Sequence, residues 1–307
     1  MFANAIETVG EFTRPIKIIS RTYKSTNVLP GAATLFFVNE DGYAITCKHV
    51  VEELIQADNI NSSYLNFKNE RSKIAKDKNY KNALKKLERK SNINSGTVVE
   101  LKIDLVDCVD NCTEIDYIID PDYDVAIIHF KGASNNLYKK HAVFVKEKDS
   151  IRPGDFLCRL GFPFPEFSNF EYNESLDEIR WNNTGNAITP RFPMEGMFTR
   201  HFVNPEGKII GVELSTPGLR GQSGGPLFTP EGLIYGMQSM TNHLHLGFDM
   251  IGEELLINGN RQKINNQPFL HVGQCVHIDV IKDFLNKNRI KYYFGNSLDD
   301  IETINAD

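Results

Sequence analysis

The sequence predicts a mainly β protein. Apolar runs stand in pairs around turn clusters, as at 31–38 and 43–51 around 39–42, and again on either side of 229–232. β-branched residues dominate 97–110, which indicates a further strand. Helical spacing is clearest near the C terminus, where Ile281, Phe284 and Leu285 predict a helix over 278–288. We therefore expect short antiparallel strands joined by hairpins and followed by a helix.

The other elements follow from the same patterns. In chain order, we expect a short helix over 2–12, a strand from Pro15 to Tyr23, one or two helical turns over 50–56, an apolar strand after Asp124, a linker over 131–150, long loops over 163–194 and 242–268, a last strand over 269–277, and a loose acidic end over 295–307.

Residues 56–96 form an insertion rich in asparagine and lysine. Between Lys68 and Lys90 there are ten basic and three acidic residues. Ile74, Leu84 and Leu87 fall on one side of a helix, so the segment could pack on the strands beneath it. A solvated insertion is the simpler interpretation, and a docking arm for an acidic partner is the alternative.

Composition excludes several classes of function. The formal net charge of −6 argues against a nucleic-acid-binding protein, which needs a basic face. No stretch is long and apolar enough to span a bilayer, so no membrane association is expected. The amino terminus has neither the basic start nor the apolar core of a signal peptide. The five scattered cysteines suit free thiols, and together these features predict a cytoplasmic protein.

The most informative stretch is Gly218 to Phe228, which reads GLRGQSGGPLF. A serine hydroxyl is a weak nucleophile unless a base removes its proton. The glycines around Ser223 predict a tight turn whose N–H groups can approach a substrate oxygen. A base and an acid stand upstream. His49 ends the second strand of a predicted hairpin, in TCKHV, and Asp124 opens an apolar strand, in DVAII.

These motifs, in the order His, Asp and Ser, resemble the trypsin-like serine peptidases, and most closely the bacterial branch of HtrA (Deg) proteases. The resemblance covers roughly residues 30–285 and implies a chymotrypsin-like fold of two six-stranded antiparallel β-barrels with a C-terminal helix. It implies an N-terminal barrel over 1–140 with His49 and Asp124, a C-terminal barrel over 151–290 with Ser223, and an acidic tail over 291–307. Because little sequence follows the predicted helix, we expect no PDZ domain of the kind that many HtrA relatives carry.

The resemblance also implies a catalytic role for each residue. His49 would be the general base, Asp124 would orient it, and the N–H groups of Gly221 and Ser223 would form the oxyanion hole. Asp122 is the weaker candidate for the acid. The substrate would be a protein or peptide, and the resemblance leaves room for a regulatory protein partner but implies no cofactor or metal.

Two departures from digestive trypsins are informative. Gln222 stands where those enzymes carry the acid that pairs with a newly cut amino terminus, so activation by cleavage is not expected. Loop ordering is the better hypothesis for regulation. The inferred substrate pocket contains no acid, which predicts a small or medium apolar residue before the scissile bond. That pocket comprises Pro217, Gly218, Ser239, Met240, Thr241 and Gly273.

Alternative interpretations remain. A pseudoprotease that serves as a binding module would fit the same fold, although every letter of the triad is present. An esterase would need the order Ser, acid, His. Cys108 with Cys112, and His243 with His245, are too few ligands for a structural metal site, so thiols and surface histidines are the preferred interpretation.

Overall fold

The computed structural model describes residues 1–147, 150–257 and 259–305. Residues 148 and 149 of the predicted linker, 258 of the predicted loop, and 306 and 307 of the predicted tail lie outside that range. The elements in chain order are α1 (Ala3–Gly10), β1 (Thr13–Thr22), β2 (Leu29–Phe37), β3 (Tyr43–Thr46), α2 (Lys48–Ser72), α3 (Tyr80–Lys90), β4 (Val98–Leu105), β5 (Val109–Asp110), β6 (Glu114–Ile119), β7 (Ala126–Lys131), β8 (Asn135–Asn136), β9 (Val143–Val145), β10 (Phe156–Gly161), β11 (Phe170–Asn173), β12 (Glu178–Trp181), β13 (Phe192–Val203), β14 (Ile209–Leu214), β15 (Pro226–Phe228), β16 (Ile234–His245), β17 (Met250–Ile257), β18 (Asn260–Asn266), β19 (Phe269–His277), α4 (Ile278–Lys287), β20 (Tyr292–Ser297) and β21 (Asp300–Ile304).

The strands form two large sheets. The first has the order β4-β1-β2-β3-β7-β6 and curls into a half-barrel. In the second, β15-β10-β13-β14-β19-β16 closes on itself because β15 also pairs with β16. The predicted mainly β, chymotrypsin-like double-barrel fold with a C-terminal helix is confirmed, with one barrel closed by hydrogen bonds.

Burial explains why these segments are strands. The inner faces of both sheets contribute to one continuous apolar core, which includes Phe36 and Ile127 from the first sheet and Leu160 and Ile234 from the second. Burying such side chains stabilises the fold by about 1.5–3 kcal/mol each. The core therefore fixes the two sheets against each other.

The insertion is more regular than its composition predicts. The helical turns expected at 50–56 extend to Ser72, because Leu54, Ala57, Tyr64 and Phe67 continue one buried stripe along α2. Leu84 and Leu87 of α3 pack on the cluster of Tyr23, Tyr64, Phe67 and Val99, as the predicted amphipathic helix requires, whereas Ile74 lies outside that cluster.

Three other expectations need correction. The acidic end is not loose, since β20 and β21 extend the second sheet through parallel pairing of β20 with β9. The 131–150 segment contains β8 and β9 rather than a plain linker. The two long loops contain the hairpins β11–β12 and β17–β18.

Candidate active site

His49 lies in the first turn of α2, directly after strand β3. Cys47 caps this helix in an extended conformation, with φ −72° and ψ 147°. The strand end is held in place because the Thr46 hydroxyl donates to the carbonyl of Thr34 at 2.7 Å. The buried Cys47 thiol donates to the carbonyl of Gln238 at 3.2 Å, which ties the helix start to the second sheet. The chain therefore presents the imidazole at the junction of the two sheets.

Asp124 accepts hydrogen bonds from His49. The His49 Nδ1 lies 3.0 Å from each Asp124 carboxylate oxygen, and the His49 backbone N–H donates to Oδ1 at 3.1 Å. A carboxylate only accepts hydrogen bonds, so Nδ1 carries the proton and Nε2 keeps its lone pair. The Ser239 hydroxyl also donates to Asp124 Oδ2. Asp122 instead donates its backbone N–H to Asp120 and does not contact His49.

The electrostatics of the pair follow from this geometry. Burial raises the pKa of Asp124, but hydrogen bonds from His49 and Ser239 outweigh it and lower the pKa to about 2. The hydrogen bond to Asp124 raises the pKa of His49, although the imidazole is partly desolvated. Asp124 is thus anionic at neutral pH, and it favours the protonated imidazole that a base forms when it accepts a proton.

Ser223 sits in the predicted turn, next to the same groups. Its carbonyl accepts from the Thr34 N–H at 3.0 Å, and its hydroxyl donates to the carbonyl of Ser239 at 3.3 Å. Ser239 therefore contacts both Asp124 and Ser223. The ring nitrogens of His49 hydrogen-bond only Asp124 among the described residues, so the Ser223 hydroxyl must rotate toward His49 to donate there.

Glycine is required at two positions of this loop. Gly221 and Gly224 adopt φ of +88° and +85°, a region that other residues rarely enter. The Gln222 N–H donates to the Leu219 carbonyl at 3.0 Å, so Gly221 is the third residue of a β-turn. The N–H groups of Gly221 and Ser223 have no acceptor within the described residues. Both donors therefore remain available to a substrate oxygen.

The buried side chain of Gln222 stabilises this turn through hydrogen bonds. It is fully buried, its Oε1 accepts from the Leu219 N–H at 3.0 Å, and its Nε2 donates to the Phe192 carbonyl at 3.2 Å. These hydrogen bonds are neutral and do not involve a charged amino terminus.

A cleft of about 450 Å³ lies beside Ser223. Five of the six predicted pocket residues line it, namely Pro217, Gly218, Ser239, Met240 and Thr241. The sixth, Gly273, faces Thr241 across the β16–β19 ladder and packs on the Arg159 guanidinium. The sequence missed five further lining residues, namely Leu219, Arg220, Gln238, His243 and His271.

The other sequence candidates have separate outcomes. His243 is exposed, as expected of a surface histidine, and it contacts His271 rather than His245, which pairs with Asp249. The ligand atoms of Cys47, His49 and Asp124 lie within 4.8 Å of one another. However, burial raises the pKa of the Cys47 thiol well above its usual value, and the neutral thiol is a poor metal ligand.

Comparison with known proteins agrees with this arrangement. The model of the trypsin-like peptidase domain matches residues 33–237, a segment that contains His49, Asp124 and Ser223. The chain therefore belongs to the trypsin-like peptidase family, whose members are serine-type peptidases. None of the described helices has the length and hydrophobicity of a membrane span.

Solved structures similar to this chain include the HtrA-type protease AlgW with a decapeptide, at 11% identity and a TM-score of 0.46. A substituted form of AlgW with a tripeptide is similar at 13% identity and a TM-score of 0.44. The alignments cover 93% and 92% of this chain but only 66% and 62% of those proteins. A sequence comparison with curated proteins gave no match.

Proposed function

We propose that this protein is a serine endopeptidase that cleaves polypeptides through an acyl-enzyme on Ser223. The observation that supports it most strongly is the His49–Asp124 pair, in which both carboxylate oxygens lie 3.0 Å from Nδ1 and leave Nε2 as the basic atom. Ser239 links this pair to the nucleophile, because it donates to Asp124 and accepts from Ser223.

The reaction would proceed in two stages. After the Ser223 hydroxyl rotates toward His49, Nε2 removes its proton while Oγ attacks the peptide carbonyl. The carbonyl oxygen becomes an oxyanion held by the N–H groups of Gly221 and Ser223, each worth about 3–4 kcal/mol to the transition state. His49 then donates its proton to the leaving amine. In the second stage water, activated by the same imidazole, releases the acyl group and restores Ser223.

Regulation by loop ordering fits this site better than activation by cleavage. Gln222 already holds the turn through its contacts with Leu219 and Phe192. A partner or substrate would act on the rotation of Ser223 and on the position of the turn. The active site would lie between the two units expected at 1–140 and 151–290.

The test is covalent labelling with a fluorophosphonate probe. Wild-type protein should be labelled, whereas Ser223→Ala should not, and His49→Ala should label at least 100-fold more slowly because the base is gone. Ser175→Ala is a matched control, since its hydroxyl bonds Asn173 in an exposed turn. A folded wild type that resists the probe would favour the alternative, a pseudoprotease that acts as a binding module.

A further inference from the structure

The cleft beside Ser223 is basic. Arg220, His243 and His271 line it together with apolar and neutral polar residues, and none of its lining residues is acidic. In proteases of this kind, the pocket beside the nucleophile receives the side chain that precedes the scissile bond. The charge of the residues that line the pocket therefore affects which substrate side chain the pocket accepts.

His243 and His271 form a pair at one wall of this cleft. They face each other across the β16–β19 ladder, with their Nδ1 atoms 2.6 Å apart. One Nδ1 must donate to the other, so the acceptor ring carries its own proton on Nε2 when it is neutral. An anion in the cleft can accept from this N–H. The donor ring keeps a lone pair on its own Nε2, so the preference for an anion depends on the positive charge around the cleft as well as on this pair.

The side chain of Arg159 is completely buried next to the cleft. Arg159 donates from Nη1 to Gln238 Oε1 at 2.8 Å and from Nη2 to the hydroxyl and carbonyl of Thr216 at 2.5 and 3.2 Å. Gln238 itself lines the cleft. Gly273 leaves the space that the guanidinium fills, since a Cβ there would collide with Nη1.

Arg159 lacks the partner that a buried charge normally has. It forms no ion pair with any carboxylate of the described residues, and its buried Nε has no hydrogen-bond partner there. Desolvation lowers the pKa of Arg159, but a guanidinium remains protonated in proteins. An unpaired charge of this kind costs several kcal/mol. A positive charge is thus held next to the substrate cleft without an internal counterion.

We propose that the substrate residue preceding the scissile bond is acidic, glutamate or aspartate. Its carboxylate would accept from the His243–His271 pair. Arg159 would supply the opposing charge through space, because the Gln238 amide beside it already donates to the carbonyls of Met240 and Gln274. This inference rests on the proposed function, because it takes Ser223 as the nucleophile. It replaces the apolar preference expected from the sequence, which considered neither Arg159 nor His271.

The test uses a peptide series that differs only at the residue before the cut, with Glu, Gln, Asp, Asn, Leu and Lys at that position. We expect kcat/KM for the Glu peptide to exceed that for the Gln and Leu peptides by about tenfold or more, as a charge-assisted hydrogen bond would produce. His243→Ala and His271→Ala should each reduce the Glu/Gln ratio by about threefold or more. His245→Ala is the matched control, since this histidine lies on the same strand but pairs with Asp249.

Arg159→Met removes the buried charge and keeps much of the side-chain volume. We expect this variant to lose the preference for the Glu peptide over the Gln peptide. If the variant does not fold, the histidine variants test the inference instead. In a Ser223→Ala background, binding of the same peptides by fluorescence polarisation should show the same order without catalysis. The fluorophosphonate could label wild-type protein that nevertheless cleaves the Glu and Gln peptides equally or prefers the Leu peptide. That result would overturn this inference and leave the proposed peptidase function standing. Failure of both labelling and cleavage would overturn the proposed function, and this inference with it.

Discussion

Asp177 joins helix α2 to the β11–β12 hairpin, and its replacement should loosen that contact. Its carboxylate accepts from Arg21 at 2.9 Å and from Arg71 at 2.8 Å. It also accepts from the hydroxyls of Tyr64 at 2.7 Å and Tyr172 at 2.9 Å. Arg71 and Tyr64 belong to α2, whereas Asp177 and Tyr172 belong to the hairpin. We therefore expect Asp177→Asn to destabilise the packing between them.

The magnitude follows from the pKa of this carboxylate. Burial raises the pKa of Asp177, but the hydrogen bonds from Arg71 and the two tyrosines outweigh it and lower the pKa to about 2. An ordinary Asp has a pKa of about 3.9, so the linked stabilisation is about 2–3 kcal/mol. Because the folded-state pKa is depressed, this stabilisation is fully present above about pH 4 and is lost as the pH falls through 2. The free energies of unfolding of wild type and Asp177→Asn should therefore differ by about 2–3 kcal/mol at pH 7 and converge in acid.

The single tryptophan provides a local reporter. Trp181 lies on β12, with its ring 5.8 Å from that of Phe167. In urea unfolding followed by Trp181 fluorescence, Asp177→Asn should show a lower midpoint at pH 7. Asp283→Asn is the matched control, because its ion pair with Lys208 is exposed and should contribute little. An Asp177→Asn midpoint equal to that of wild type, or a deficit unchanged between pH 7 and pH 2, would refute the reasoning.

Three further predictions concern the active site and the thiols. Gly224→Ala should abolish probe labelling and destabilise the fold in thermal unfolding, because its Cβ would collide with the neighbouring backbone. Gly207→Ala has a similar φ of +80° and open space, so it should cost only about 1 kcal/mol. The labelling rate of wild type should fall as the pH drops through the raised pKa of His49, since only the neutral imidazole accepts a proton, and Asp124→Asn should move that midpoint to lower pH. Iodoacetamide should modify Cys112 first in peptide mapping, because it is the only cysteine that is not buried, and prior reaction of any other would contradict this.

The sequence predicted those parts of the fold that local patterns encode. Alternation and turn clusters identified the hairpin that leads to His49, and helical spacing identified α4. The tail was missed because its strands depend on a partner distant in sequence, β9, and acidic residues on an exposed edge resemble a loose end. The length of α2 was missed because its buried apolar residues are few and are separated by lysines and asparagines.

The candidate site also contains residues that the sequence predicted and residues that it missed. Short motifs identified His49, Asp124 and Ser223, whereas Ser239 was assigned to the pocket without its bond to Asp124. His271 stands in no motif, and only the β16–β19 register brings it opposite His243. Arg159 could be read from the sequence only as a charged residue within an apolar strand. Such a residue is itself a signal, because a charge inside a strand that becomes buried requires a functional or structural partner.

Helix α2 connects the candidate active site to the lysine-rich insertion, because it contains His49 and extends to the contact with Asp177. The helix places His49 in its first turn and Arg71 in its last, so one rigid element connects the general base of the proposed mechanism to the hairpin contact. The helix has 25 residues, so we expect a tilt at one end to displace the other. We therefore expect loss of the Asp177 contacts to change the orientation of His49 relative to Asp124. If so, Asp177→Asn should slow labelling of Ser223 without altering the pH midpoint, whereas Asp124→Asn should alter both.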